Sequence, residues 1–132
     1  MRRLPRPSTV GRRHPLDRII RATLNTWHGL VAAARSEAAF RQELAVLAVA
    51  LPLAFIVGTE VWKRLALVGV ILLLIAVELI NTAIEKLSDQ VTTAHSPEIG
   101  RIKDMGSAAV GVAIVIAGLT WLVALGERAG LW

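Results

Sequence analysis

The most informative pattern in this chain is the alternation of long apolar runs with short charged segments. Three apolar runs stand out, at Leu44–Gly58, Leu65–Ile84 and Met105–Gly126. The second and third are long enough for the roughly 20 residues that an α-helix needs to cross a bilayer. The first is short, but a continuous helix reaching back through the letters AAFRQE would supply the missing length, with a kink expected at Pro52. The pattern therefore predicts three transmembrane helices.

A fourth, amphipathic helix is predicted ahead of the first span. From Arg18 onwards, apolar side chains recur at helical spacing and polar side chains occupy the other faces. Such a helix is expected to lie on the membrane surface. Residues 1–17 are rich in Pro and Arg and have no apolar period, so we expect a disordered basic tail there. Residues 18–132 would then form one membrane-embedded domain.

Composition supports this all-α membrane protein. The chain has 132 residues, of which 55% are hydrophobic, more apolar material than a soluble domain of this size can bury. Cysteine is absent, which excludes disulfides and zinc–thiolate sites.

The distribution of positive charge predicts the orientation. Nine of the fifteen Lys and Arg residues precede Leu44, and cations just ahead of a span are typical of a topology signal or a contact with anionic lipid rather than of nucleic-acid binding. The second polar connection, EKLSDQVTTAHSPEIGRIKD, carries three more cations. The positive-inside rule then places the N-terminus and this connection in the cytoplasm, and the C-terminus outside.

The second apolar run ends in polar residues that share one helix face. Glu78, Asn81 and Glu85 are spaced i, i+3 and i+7, and Glu78 lies about 10 Å deeper along the helix axis than Glu85. A carboxylate inside the edge of the hydrocarbon layer is costly, so Glu78 is a candidate functional residue and general base. The alternative is a structural Glu paired with an Arg or a hydroxyl between helices.

Two further polar clusters are expected at the same level of the membrane. They are Glu37, Arg41, Gln42 and Glu43 before the first span, and Arg101, Lys103, Asp104 and Ser107 before the third. Carboxylates from two helices can hold Mg²⁺, and cations beside them can neutralise phosphates. Asp104 is also expected as the N-cap of the third span, where helix amides would favour an anion. These parts favour phosphoryl transfer to a membrane alcohol, although no P-loop or protein-kinase motif is present.

Three motifs resemble the prokaryotic diacylglycerol kinase family. They are EAAFRQE at Glu37–Glu43, VELINTAIE at Val77–Glu85 and GRIKDMGSAAV at Gly100–Val110, and the resemblance extends from about Arg18 to Trp121. It implies an inner-membrane homotrimer of three-span subunits, each with a surface helix, and composite active sites between subunits at the cytoplasmic face. It also implies ATP and Mg²⁺ as cofactors and diacylglycerol as the acceptor.

The resemblance also implies residue roles. Glu78 would be the general base, with Asn81 orienting the site, and Glu37 and Glu85 would ligate Mg²⁺. The residues expected near the nucleotide are Arg18, Asn25, Lys103 and Asp104, together with Ala94, His95 and Ser96 of the second connection. The residues expected near the lipid substrate, besides Glu78, are Ala39, Phe40, Arg41, Gln42, Glu43 and Ser107. The letters TTAHSPE, and Asn25 in place of an aromatic residue, depart from the family pattern.

Two alternatives to a diacylglycerol kinase stay open from the sequence. An undecaprenol kinase of the same family would use the same base and metal with a different lipid alcohol. A small multidrug-type transporter could use Glu78 for proton exchange, but it would have no use for paired Glu37 and Glu85 or for Lys103 and Asp104. Such a transporter, like a silent assembly factor, would lack Mg²⁺-dependent affinity for ATP.

Overall fold

The computed structural model describes residues 15–92, 94 and 96–131. Over these residues the chain is all-helical, as predicted. The four helices are α1 (Pro15–Ser36), α2 (Ala38–Val57), α3 (Val61–Val91) and α4 (Pro97–Arg128). The greater part of the predicted basic tail lies outside the described residues, and α1 takes in residues 15–17 at its start.

The chain divides into two compact units, the first ending at Arg35 and the second beginning at Ser36. The first unit contains α1, which is the predicted amphipathic helix. Its large apolar side chains are exposed, among them Ile19 and Trp27 at 62% and 64%. This exposed apolar stripe is what a helix bound to a membrane surface would present.

The second unit is a three-helix arrangement in which α3 packs against both α2 and α4. Short connections make successive helices antiparallel, so the start of α2, the end of α3 and the start of α4 meet at one end of the unit, called here the site end. The opposite end, called the far end, holds a small core of Ala54, Val57 and Leu67. There the Trp121 indole Nε1 donates a hydrogen bond of 3.2 Å to the backbone carbonyl of Leu67.

The three helices of the second unit are long and apolar enough to cross a membrane, which confirms the predicted number of spans. Helix α2 reaches back through AAFRQE, as expected for the short first run. At 1.5 Å per residue, α3 and α4 are each more than about 45 Å long, whereas the hydrocarbon layer is about 30 Å thick. Both helices therefore continue well beyond the apolar layer.

This extension corrects the predicted second loop. Residues 85–104 were expected to be a polar connection, but α3 continues to Val91 and α4 begins at Pro97. Loss of hydrophobicity at a membrane surface does not require a helix to end, because polar helix formers continue the backbone hydrogen bonding in water. The polar residues of the site end consequently lie on helices.

The packed face of α4 is marked by small residues, but not by all of its glycines. A Cβ atom added to Gly111 or Gly118 would meet nothing within 4 Å in this chain, and Ser107 is exposed. The buried small residues of α4 are instead Gly106, Ala113, Ala117 and Gly126. Glycine counts alone do not identify which helix face is packed.

Candidate active site at the end of α3

The predicted polar face of α3 is a real cluster. Asn81 is buried, with 7% of its surface exposed, and its Nδ2 donates a hydrogen bond of 3.2 Å to Oε1 of Glu85, one turn further along the helix. Glu78 and Glu85 are both partly buried. The amide therefore holds one carboxylate of the face in a defined direction.

Asn81 is confined on its other side by α4. Its Oδ1 is buried and has no hydrogen-bond partner among the described residues. Gly106 is the residue of α4 that faces this oxygen, and a Cβ atom at that position would overlap it. Close approach of α3 and α4 at this level thus depends on a residue without a side chain.

Glu37 is brought to the same end by the start of α2. It occupies the N-cap position in an extended conformation, without a capping hydrogen bond from its side chain. Lys86 of α3 lies 2.7 Å from Glu37 Oε1, and the Ser36 hydroxyl donates to the same oxygen at 2.7 Å. Hydrogen bonds from Lys86 and then from Ser36 hold the pKa of Glu37 below its usual value.

Four carboxylates are therefore gathered at the site end. Glu78 lies within electrostatic range of Glu85 and of Glu37, and Glu43 of α2 lies within range of Glu78. Oε2 of Glu43 is buried without a hydrogen-bond partner among the described residues. Mutual repulsion among neighbouring carboxylates is costly, and Lys86 offsets it at Glu37.

The start of α4 supplies a lysine to this end, but its helix begins earlier than predicted. Lys103 is partly buried and its Nζ lies 3.0 Å from Oδ1 of Asp89 on α3. Asp104 is exposed inside α4, so its expected role as N-cap is wrong. The N-cap is Ser96, whose hydroxyl accepts a hydrogen bond of 3.4 Å from the backbone amide of Ile99. The free amides expected behind Asp104 are consequently engaged within the helix.

The remaining predicted site residues fall into three groups. On α2, Ala39, Arg41 and Gln42 are exposed, whereas Phe40 is buried at 2% exposure and packs inside the unit. Ala94 is exposed between α3 and α4, and His95 lies outside the described residues. Arg18 and Asn25 are exposed on α1, which is a separate unit.

A sequence model of the family described as prokaryotic diacylglycerol kinase matches residues 24–125. The match spans most of the chain and includes every carboxylate of the site end. The chain belongs to the prokaryotic diacylglycerol kinase family. The resemblance drawn from the three motifs is thereby confirmed, and the transporter alternative is set aside.

Relatives of this family member share most of its length. Diacylglycerol kinase of Escherichia coli strain K12 is 40% identical over 113 residues, which cover 86% of this chain and 93% of the relative. Diacylglycerol kinase of Pseudomonas aeruginosa is 40% identical over 119 residues, covering 90% and 97%. Undecaprenol kinase of Bacillus subtilis is 30% identical over 105 residues, covering 80% and 85%. The diacylglycerol kinases are therefore the more similar relatives.

The donor atoms of this kinase fit Mg²⁺ only if substrate phosphates and water supply the other ligands of the ion. Among the described residues no group of three or more His, Cys, Asp or Glu side chains could hold a metal ion alone. Mg²⁺ is usually bound by one or two carboxylates together with substrate phosphates and water. Glu37 and Glu85 would supply such a pair, and Asn81 donates a hydrogen bond to the second of them. The residues present thus suit a magnesium–nucleotide complex better than a dedicated metal cage.

Four residues that the sequence did not single out take part in this site end. They are Ser36, Lys86, Asp89 and Gly106. Lys86 could have been found from the sequence, because it directly follows Glu85 in the polar last turns of α3. The role of Gly106 depends on which residue of α3 lies opposite, and one helix read alone cannot supply that.

Proposed function

We propose that this chain is a diacylglycerol kinase that transfers the γ-phosphoryl group of ATP to the hydroxyl of diacylglycerol and releases phosphatidic acid and ADP. The observation that carries the proposal is the gathering of Glu78, Asn81, Glu85 and Glu37 at the polar end of membrane-spanning helices. A lipid hydroxyl reaches such a place from the bilayer, and ATP reaches it from water. Family membership supports the same assignment.

In the proposed reaction Glu78 acts as the general base. Its carboxylate accepts the proton of the lipid hydroxyl while that oxygen forms a bond to the γ-phosphorus, and the bond from phosphorus to the β–γ bridging oxygen breaks. Its depth, about 10 Å from Glu85 along α3, suits an acceptor that stays in the membrane. Asn81 keeps Glu85 oriented towards the nucleotide.

The nucleotide would be held at the outer edge of the carboxylate cluster. Glu37 and Glu85 would ligate Mg²⁺, which would neutralise phosphate charge when bound. Lys103 and Asp104 would contact the nucleotide, with Arg18 and Asn25 contributing from α1 and residues 94–96 from the connection. The exposed residues Arg41, Gln42 and Ser107, with Ala39 and Glu43, would face the lipid headgroup.

We further propose that the kinase is a homotrimer in the inner membrane with its N-terminus in the cytoplasm. The cationic N-terminal segment supports this orientation. In a single chain Ser107 and Asp104 are exposed, so a neighbouring subunit could complete the site from α4. The surface location of α1 is supported by its exposed apolar stripe.

The test is phosphate transfer from labelled ATP in mixed micelles, with diacylglycerol and undecaprenol offered separately to the full-length protein. Labelling of diacylglycerol well above undecaprenol is the expected result. Undecaprenol is offered because the Bacillus subtilis relative is an undecaprenol kinase. Preferential labelling of undecaprenol would leave the proposed chemistry unchanged and replace diacylglycerol as the acceptor. Labelling of neither lipid by folded protein would overturn the proposal.

A further inference from the structure

The contact between Gly106 and Asn81 is specific to one glycine of α4. Gly106 is buried, and a Cβ atom on it would overlap Oδ1 of Asn81 and come within 3.4 Å of its Cγ. Gly100, Gly111 and Gly118 lie on the same helix, and a Cβ atom on any of them would meet nothing within 4 Å. Helix propensity or general helix packing would not single out Gly106 in this way.

The direction of the Asn81 carboxamide follows from its two neighbours. On one side Nδ2 donates to Glu85, so the oxygen must point the other way. On that side it meets the hydrogen-bearing face of the Gly106 Cα, which can act as a weak donor to oxygen. A methyl group there would push the carboxamide away from α4 and out of line with the Glu85 carboxylate.

We propose that Gly106 is a positioning residue of the kinase: the absence of its side chain fixes the Asn81 carboxamide, and the carboxamide orients Glu85. The contact itself is independent of the proposed function, whereas its catalytic consequence rests on Glu85 being a magnesium ligand. Groups that orient metal ligands typically change metal affinity by about 10- to 100-fold when they are altered. Gly106 acts on Glu85 only through Asn81, so we expect an effect at the lower end of that range, about tenfold.

The experiment compares Gly106→Ala with Gly118→Ala in the full-length protein, because both add one methyl group to α4. Gly106→Ala should lower the Tm by at least about 4 °C through overpacking and raise the Mg²⁺ concentration for half-maximal activity about tenfold. Gly118→Ala should leave both values close to those of the wild type. Equal effects of the two substitutions, or a wild-type Tm and Mg²⁺ dependence for Gly106→Ala, would overturn the proposal.

A second comparison tests whether Gly106 acts through Asn81. In an Asn81→Ala background the carboxamide is gone, so adding Gly106→Ala should lower the Tm by less than half as much as it does alone. If Gly106→Ala alone fails to fold, the double variant should still fold. The same loss in both backgrounds, or failure of the double variant to fold, would refute positioning through Asn81. Because this comparison needs no activity, it is decisive even if the wild-type chain phosphorylates no lipid.

Discussion

Replacement of Glu78 by Gln is the sharpest test of the proposed chemistry. The substitution keeps the size of the side chain and removes its charge and its capacity to accept a proton. A positioned general base typically contributes about 10²- to 10⁴-fold to rate. Since Glu78 lies deep on the face of α3, away from Glu85, we expect kcat to fall by that factor.

Binding of Mg²⁺–ATP should survive the same substitution. Glu78 and Glu85 are about 10 Å apart along the helix axis, and two unit charges at that distance repel by about 0.4 kcal/mol in water and about 1.7 kcal/mol at an effective dielectric constant of 20. Glu78 is expected at the edge of the hydrocarbon layer, bordered by both lipid and water, so its repulsion with Glu85 lies between these two values. Glu78→Gln removes this repulsion. The Tm of the variant should therefore equal that of the wild type or exceed it by a few degrees, and its affinity for Mg²⁺–ATP should be equal or slightly higher.

Three measurements on Glu78→Gln decide the matter: kcat in mixed micelles, Mg²⁺–ATP affinity by titration, and Tm. Glu98→Gln is a matched control, because Glu98 is an exposed carboxylate in the first turn of α4 outside the proposed machinery. Retention of more than a tenth of wild-type kcat would rule out Glu78 as the general base. A large loss of nucleotide binding would instead place Glu78 among the metal ligands.

Three further substitutions test individual contacts. Lys86→Gln removes the cation that pairs with Glu37, so the Mg²⁺ concentration for half-maximal activity should fall about two- to fivefold; a rise would show that Lys86 helps to hold the site. Ser96→Ala removes the N-cap of α4 and should cost about 1 kcal/mol in a denaturation assay, and a marked increase in the KM for ATP would reveal the predicted nucleotide contact as well. Phe40→Ala should cost about 3 kcal/mol of stability with little change in the KM for lipid; a selective change in that KM at unaltered stability would favour direct contact with substrate.

The sequence is sufficient to predict those structural features that depend on a single helix. Three spans follow from the apolar runs, and the shared face of Glu78, Asn81 and Glu85 follows from the helical repeat, which the hydrogen bond from Asn81 to Glu85 confirms. The ends of α3 and α4 were missed because hydropathy marks the membrane boundary rather than the helix boundary. Asp104 was a plausible N-cap only as long as α4 was assumed to start at the membrane.

Features that depend on two elements could not be predicted in the same way. Lys86 meets Glu37 across 49 positions of sequence, and Gly106 meets Asn81 between two packed helices. Each of these contacts depends on the rotation of one helix relative to another. Lipid solvates every apolar helix face equally well, so the apolar pattern of a helix does not determine which face packs against its neighbour. Side-chain size at a single position, such as the missing Cβ of Gly106, then selects among them.

The two ends of the second unit differ in how completely their polar groups are satisfied within one chain. At the far end Lys63 pairs with Glu127, and Arg64 donates a hydrogen bond of 2.8 Å to the carbonyl of Gly58, closing the end of α2. At the site end Glu43 and Asn81 each keep a buried oxygen without a partner among the described residues, beside carboxylates that repel one another. A helix bundle can keep such unsatisfied groups only where other contacts hold the helices in place. The far end therefore supplies contacts that hold the three helices in place, and the site end keeps several carboxylates close together at the polar end of the helices.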